Sequence, residues 1–316
     1  MSRPFDTCAR LAMAIAAIAA GAGCGGGDGG GGGPDGGGGG DGGGGGDAAS
    51  RPDAGDDVGA CGPSELLARF WIESSPEHGS VHGSVYDRPD PLALTLMVSG
   101  GGCAFYGYEP VLCDPPCEGG MVCSAGGTCE PYRVSVPAGT VRVTGTSPEL
   151  ELEPMPGGSY YTTQSYPGLL PPGAEAVLTG GGQGSDVEPF ELRALGVPPI
   201  EIDWESVQAV EHEDMVIEWN TDDASPEGAQ VVLHMDSDHH GTPAYVECWA
   251  DDTGTLTVPA DVLDPLIEAG ETGIGTYIEN AWLARRHRGT APLAAGCAAL
   301  DAESLTSIHV ETIRAN

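Results

Sequence analysis

From Cys61 onward the sequence predicts a mainly β fold, an antiparallel sandwich or barrel, on three observations. Apolar and polar residues alternate with period two in short runs, as they do in strands with one buried face. Gly, Pro and Asp separate the runs, and these residues supply turn conformations. The chain also carries 26 prolines, too many for long helices. Taken in order, the alternating runs are Val81-His82-Gly83-Ser84-Val85, Val141-Arg142-Val143, Leu150-Glu151-Leu152, Phe190-Glu191-Leu192, Val231-Val232-Leu233-His234-Met235 and Ile308-His309-Val310. Pro259 to Ile267 predicts one or two helical turns, interrupted at Pro265. Glu65 to Trp71 reads either as a helix or as the opening of a strand. Trp204, Trp219, Trp249 and Trp282 are expected core anchors.

Composition removes whole classes of chemistry. Against 47 acidic residues stand 12 basic ones, all arginine, for a formal charge of −35. Without lysine there is neither a P-loop lysine nor a Schiff base with pyridoxal phosphate. So negative a chain repels nucleic acid, whose binding rests on neutralised phosphates, and it repels anionic lipid as well. No Gly-x-Ser-x-Gly elbow, His-Glu-x-x-His helix or EF-hand loop occurs, and Gly-x-Gly-x-x-Gly appears only within the glycine runs of residues 21–46, where no strand is expected before it and no helix after it.

Residues 1–23 have the order of a secretory signal. Arg3 and Arg10 precede an apolar run from Leu11 to Ala20, and small residues lead to Cys24. The run is about half the roughly 20 residues that span a bilayer. Gly21-Ala22-Gly23-Cys24 resembles a bacterial lipobox, with Gly21 where that family usually has leucine. The resemblance implies that Cys24 is lipidated and becomes the mature terminus. Cysteine parity favours this over release after Ala22: losing Cys8 and lipidating Cys24 leaves eight of the 10 cysteines, an even set. Lipoproteins of this type carry three acyl chains, a stable anchor at about 0.8 kcal/mol per buried methylene. Residues 25–60 are almost entirely Gly, Asp, Ala and Pro, with a single large apolar residue, Val58. Such a segment buries too little to offset its ordering entropy, and as a coil it spans about 33 Å on average. Asp28, Asp35, Asp41 and Asp47 lack the fixed period and apolar residue of calcium-binding repeats.

The expected organisation beyond the linker is a β segment at 61–112, a cysteine-rich knuckle at 113–130 and a β-rich domain at 131–316. That last stretch forms one sandwich or two modules, 131–200 and 201–316. Cys113, Cys117, Cys123 and Cys129 sit in a stretch with almost no apolar content, which holds a shape only by crosslinking. Zinc is the rival reading, but zinc sites usually show two close pairs held apart, and thiolates oxidise outside the cytoplasm. The stretch looks like a truncated epidermal-growth-factor-like knuckle. That resemblance implies the pairs Cys113–Cys123 and Cys117–Cys129, and leaves Cys61 with Cys103 and Cys248 with Cys297 as the natural remaining pairs. Taken whole, lipobox, linker, knuckle and β-rich remainder resemble lipoproteins of myxobacteria and related Gram-negative bacteria. This implies an outer-membrane or surface location and implies no activity.

Candidate sites are few. Asp236, Asp238, His239 and His240 follow a strand in a loop, near Asp222, Asp223, Asp251 and Asp252. Oxygen ligands converging there would suit calcium, and the imidazoles zinc; the competing reading is a solvated acidic turn. His78 and His82 fall on one strand face about 13 Å apart, too far to share a metal. His212 reads as part of a solvated charge run. Tyr160, Tyr161 and Tyr166 offer a sugar-stacking strip or ordinary packing. Arg285, Arg286 and Arg288 form a basic cluster that offsets local repulsion or docks an anionic glycan. The leading expectation is an anchored, non-catalytic β-rich module without a cofactor, whose partner is an envelope polymer, a glycan or a protein. An envelope-acting hydrolase and a calcium- or glycan-binding receptor are the alternatives.

Overall fold

The computed structural model describes residues 61–314 apart from 63–64, 92–94, 108–111, 125, 183–184, 203–206, 223, 237–243 and 270–276. The signal region, Cys24 and residues 25–60 lie outside the described residues. The described chain is mainly β. Strands β1 (Leu66–Ser74), β2 (Gly79–Val85), β3 (Thr95–Gly100) and β4 (Cys103–Gly107) come first, so the segment from Glu65 to Trp71 opens a strand. The knuckle holds β5 (Met121–Cys123) and β6 (Cys129–Pro131). Next come β7 (Val141–Thr144), β8 (Leu150–Leu152), β9 (Ser159–Tyr161), β10 (Glu175–Gly180) and β11 (Phe190–Leu195). The C-terminal part contains β12 (Gln208–Val210), β13 (Met215–Glu218), β14 (Gln230–Asp236), β15 (Ala244–Asp251), β16 (Thr255–Val258), helix α1 (Ala260–Ala269), β17 (Tyr277–Leu293) and β18 (Gly296–Ile313).

Among the described residues, ten strands form one sheet in the order β3-β4-β15-β14-β17-β18-β1-β2-β9, with β12 also on β18. Strands from 61–107 and from 208–313 therefore share a sheet and do not fold as separate β modules. Strands β7, β8, β10 and β11 make a second sheet, and β13 pairs with β16. One face of the large sheet is covered along its length. Near β1, β2 and β18, Phe70, Ile72, Val81 and Leu300 meet Val141, Val143, Leu178 and Leu192 of the second sheet. Near β14 and β15, Leu233, Val246 and Leu283 meet Met215, Ile217, Val258 and the helix residues Leu263 and Leu266.

Two pairings depart from the antiparallel expectation. Strand β1 runs parallel to the first half of β18, from Leu66 opposite Cys297 to Glu73 opposite Glu303. Strand β12 runs parallel to its last residues, Glu311 to Ile313. Parallel neighbours need a long crossover, and here nearly the whole domain is that crossover. The same topology corrects the two long-range disulfides: the bonds are Cys61–Cys297 and Cys103–Cys248. Cys103 faces Cys248 in the register of β4 on β15, while the pairing of β1 on β18 carries Cys61 to Cys297. The knuckle closes through Cys113–Cys123 and Cys117–Cys129.

Helix α1 is also longer than expected, continuing through Pro265 for 10 residues. An interior proline costs about 3 kcal/mol. Buried Val262, Leu263, Leu266 and Ile267 offset that, and the first turn is held by Asp214, whose Oδ1 accepts from the Ala260 N–H at 2.9 Å. His212, expected to be merely solvated, bonds the helix instead. Its backbone N–H and its Nδ1 each lie 2.8 Å from the Asp264 carboxylate, with φ at 66°.

The two sheets touch backbone to backbone where β17 passes β11. A Cβ on Gly289 would fall 1.8 Å from the Arg193 carbonyl oxygen, and beside it the Leu195 N–H donates to His287 Nδ1 at 3.2 Å. Replacing Gly289 by alanine forces this contact apart and is expected to cost roughly 1–3 kcal/mol. The check is the urea midpoint at constant slope; an unchanged midpoint would show that the sheets are free to separate there.

Candidate functional site

The opposite face of the large sheet carries a chain of rings and charges. Strands alternate their side chains, so residues two apart share a face. On β15 these are Tyr245, Glu247 and Trp249; on β14, His234 and Asp236; on β17, Trp282, Arg286 and Arg288. Strand β18 adds Asp301 and Glu303, β1 adds Arg69, Trp71 and Glu73, β2 adds His82, and β4 adds Tyr106. The intervening residues, such as Phe70, Leu233, Val246 and Leu300, fill the core.

The groups stack in sequence across seven strands. Tyr106 lies on Tyr245 with centroids 4.8 Å apart, Tyr245 is 5.1 Å from His234, and His234 lies on Trp282 at 4.9 Å. The Arg286 guanidinium follows, 5.5 Å from Trp282 and 5.4 Å from Trp249. Arg288 stands 4.9 Å from the Trp249 centroid. Asp301 links Arg288, at 2.6 and 2.9 Å, to Arg69 at 2.9 Å. Arg69 lies 4.6 Å over Trp71, which stacks on His82 at 4.9 Å. Each indole is thus flanked by a neighbour's cation or imidazole. A stacked or cation-flanked ring contributes about 0.5–2 kcal/mol beyond its buried area.

The charges are closed on one another. Arg286 and Glu303, both almost fully buried, pair at 2.8 and 2.7 Å. Burial pushes the Asp301 carboxyl up, but Arg286, Arg288 and Arg69 together hold it well below the usual carboxylate range. Burial raises the Glu303 carboxyl, and Arg286 offsets only part of that. Burial also lowers His234, against the raising effect of Glu247. The Glu247 carboxylate accepts from the Trp249 indole N–H at 2.8 Å. Among the described residues, the buried His234 Nδ1 and Arg286 Nη1 have no hydrogen-bond partner.

The predicted site residues fare unevenly. Asp238, His239 and His240 lie outside the described residues, as do Asp223 and Trp204. Asp236 ends β14 with a carboxylate oxygen 4.0 Å from His234 Nε2. Asp252 is committed to structure: it accepts from Arg285, from Ser225 and from the Trp219 indole at 2.6–3.1 Å. The basic cluster is divided between the two faces of β17. Arg285 is fully buried on the core side, donating also to the carbonyls of Pro198, Pro199 and Asn220, while Arg286 and Arg288 join the stack. The three arginines therefore do not act as one cluster: Arg285 faces the core, and Arg286 and Arg288 face the opposite side. Trp219 is in the core as expected, but Trp249 and Trp282 belong to the stack, because their strand parity points them away from the core. Tyr160 is buried, its hydroxyl accepting from Ala138 N–H at 2.7 Å and donating to the Gly139 carbonyl at 3.0 Å. His78 and His82 share a face, each about 4 Å from Glu73. The sulfurs of Cys113, Cys117 and Cys129 lie within 4.8 Å of one another, but all three are in disulfides and have no thiolate to offer a metal.

Sequence reasoning missed Arg69, Trp71, Glu247, Asp301 and Glu303. The available signal was large polar or aromatic residues at every second place in strands whose other places are apolar, as in Arg69-Phe70-Trp71-Ile72-Glu73. No family model matches the chain, and no curated protein matches it. Among solved structures the chain is similar to the crystal structure of chicken CNTN1 FN1-FN3 domains, at 9% identity over 72% of this chain and 67% of that one, with a TM-score of 0.20. A likeness of that degree carries no argument about function.

Two outcomes follow for the stack. Arg286→Ala leaves Glu303 buried without its cation and is expected to cost about 3–5 kcal/mol, whereas Arg286→Met combined with Glu303→Leu should cost far less; equal losses in chemical denaturation would mean the pair itself stabilises the sheet. His234→Phe keeps the stacking and removes the titration. Because burial lowers the folded pKa of His234, its stabilising contribution is complete above the unfolded value near 6.5 and is lost as pH falls below it. The variant's melting temperature should therefore fall less between about pH 6.5 and 4.5 than that of the parent; parallel curves would remove His234 from the acid response.

Proposed function

We propose that the chain is an envelope lipoprotein, anchored through Cys24, whose β-rich domain acts as a non-catalytic structural or interaction module. The observation that carries the second half is the stack: its arginines and buried carboxylates pair with one another and its indoles are flanked from the side. This favours a stiff platform, while an acid and base aimed at one reacting atom would favour a hydrolase. The oxidising chemistry of four disulfides and a net charge of −35 support export and a solvated surface. Among the described residues no helix is long and apolar enough to cross a membrane, so attachment in this reading rests on the lipid.

The test is made on protein from an envelope fraction. Mass analysis of the mature terminus should find diacylglycerol on Cys24, and Cys24→Ala should move the protein out of the membrane fraction; a terminus at Gly23 overturns the anchor. Incubated with peptidoglycan or surface polysaccharide, the purified domain should release no sugar or peptide fragments. Release of soluble fragments would put the hydrolase reading in its place.

A further inference from the structure

We infer that the Cys61–Cys297 bond and strand β18 form a covalent load path, so that a pull entering at residue 61 leaves the fold intact. The inference rests on the anchored reading only for the source of the pull.

The first and last strands of the described fold are neighbours, and they run parallel over a register from Leu66–Cys297 to Glu73–Glu303. Pulling β1 by its N-terminal end and β18 by its C-terminal end drives the two strands in opposite directions along their axes. The ladder hydrogen bonds of β1 on β18 are then loaded together, in shear. Strands pulled apart from one end open their bonds one at a time, so shear is the resistant geometry.

The disulfide moves the load again. It joins the residues before β1 to Cys297, the second residue of β18, with Cα atoms 5.7 Å apart. Tension entering at Cys61 passes through the sulfurs into β18 and runs along its backbone to Ile313. That backbone is already extended at about 3.3 Å per residue, so it has almost no length left to release. The 235 residues between the two cysteines lie in a closed loop outside the path. Neither strand β1 nor the hydrophobic core bears the tension. The flanking geometry fits: a Cβ on Gly296 would sit 2.2 Å from the Glu65 carbonyl oxygen, so the two chains meet backbone to backbone beside the bond.

The experiment is single-molecule stretching of the full mature chain, held at its two termini, without reductant. The oxidised protein should show no domain-unfolding step. In the Cys61→Ser/Cys297→Ser variant the Cys103–Cys248 bond still closes its own loop, but the stretches on either side become extensible. At 3.3–3.6 Å per residue they should appear as a single step of roughly 300 Å. A second handle inserted at Ala295, at the tip of the β17–β18 hairpin, replaces shear by peeling. In the same bridge-less variant that geometry should unfold at a lower force than the terminal one. A step of several hundred ångström in the oxidised parent overturns the load path, and equal forces in the two pulling directions overturn the shear geometry. Neither result bears on whether Cys24 carries lipid, which the terminal mass decides separately.

Discussion

Strand β18 is the constraint on which the rest depends. Its first half holds β17 on one edge and β1 on the other, and its last residues hold β12 in place of β1. Through β17 it reaches β14, β15 and β4; through β1 it reaches β2 and β9. With 18 residues it is about three times as long as a common strand, and that length lets one sheet carry two covering layers side by side. One hydrophobic cluster lies over its N-terminal half and another over its C-terminal half, so the core is divided while the sheet is continuous. A register slip of one residue in β18 would exchange Asp301 and Glu303 with Leu300 and Ala302, placing carboxylates in the core. Few registers are so strongly specified.

The second face follows from the first. Once Phe70, Leu233, Val246 and Leu300 are committed inward, alternation commits Arg69, His234, Glu247, Trp249, Asp301 and Glu303 to the other side. A sheet this wide leaves its central residues far from water even on the face opposite the core, because long neighbours shield them. Asp301 is fully buried there. Burying a charge alone costs several kcal/mol, so each buried carboxylate needs a cation at hydrogen-bond distance, and the arginines need acceptors or ring faces. The stack is what results when both requirements are met in a single layer. Arginine suits the task better than lysine, since a planar guanidinium pairs with a carboxylate through two nitrogens while lying over an indole.

Local patterns were legible in the sequence and long-range ones were not. Val81 to Val85 declares its strand in five residues because burial on one face writes itself as alternation. The knuckle's bridges span only 10 and 12 residues and were implied by its resemblance to a known module. The other two bonds join cysteines 145 and 236 residues apart, and nothing near Cys61 or Cys103 records which distant strand lies alongside. The tryptophans show the same limit. Parity places Trp249 opposite Val246 and Cys248, but only the three-dimensional neighbours reveal which parity is the core. Helix α1 exceeded its expectation because tertiary burial of four side chains outweighs one proline, and a propensity argument does not weigh burial.

How such a face meets a partner is limited by the same geometry. Flat stacking of a sugar or nucleobase needs a free ring face, and here the faces of Trp71, Trp249 and Trp282 are turned toward Arg69, His82, His234, Arg286 and Arg288. Each of these indoles therefore has at least one face occupied within the stack. A partner reading edges and hydrogen-bonding groups on a stiff surface gives up little entropy on the protein side, because those side chains are already fixed. The charge balance points the same way. Three arginines, Arg69, Arg286 and Arg288, offset three of the five carboxylates on this face, so it is only weakly negative within a strongly acidic surround. Long-range electrostatics then act mainly at the periphery of the face, and at its centre short-range packing and hydrogen bonding dominate. The stack therefore commits most of its polar groups and ring contacts to one another, which fixes this layer of side chains on the sheet.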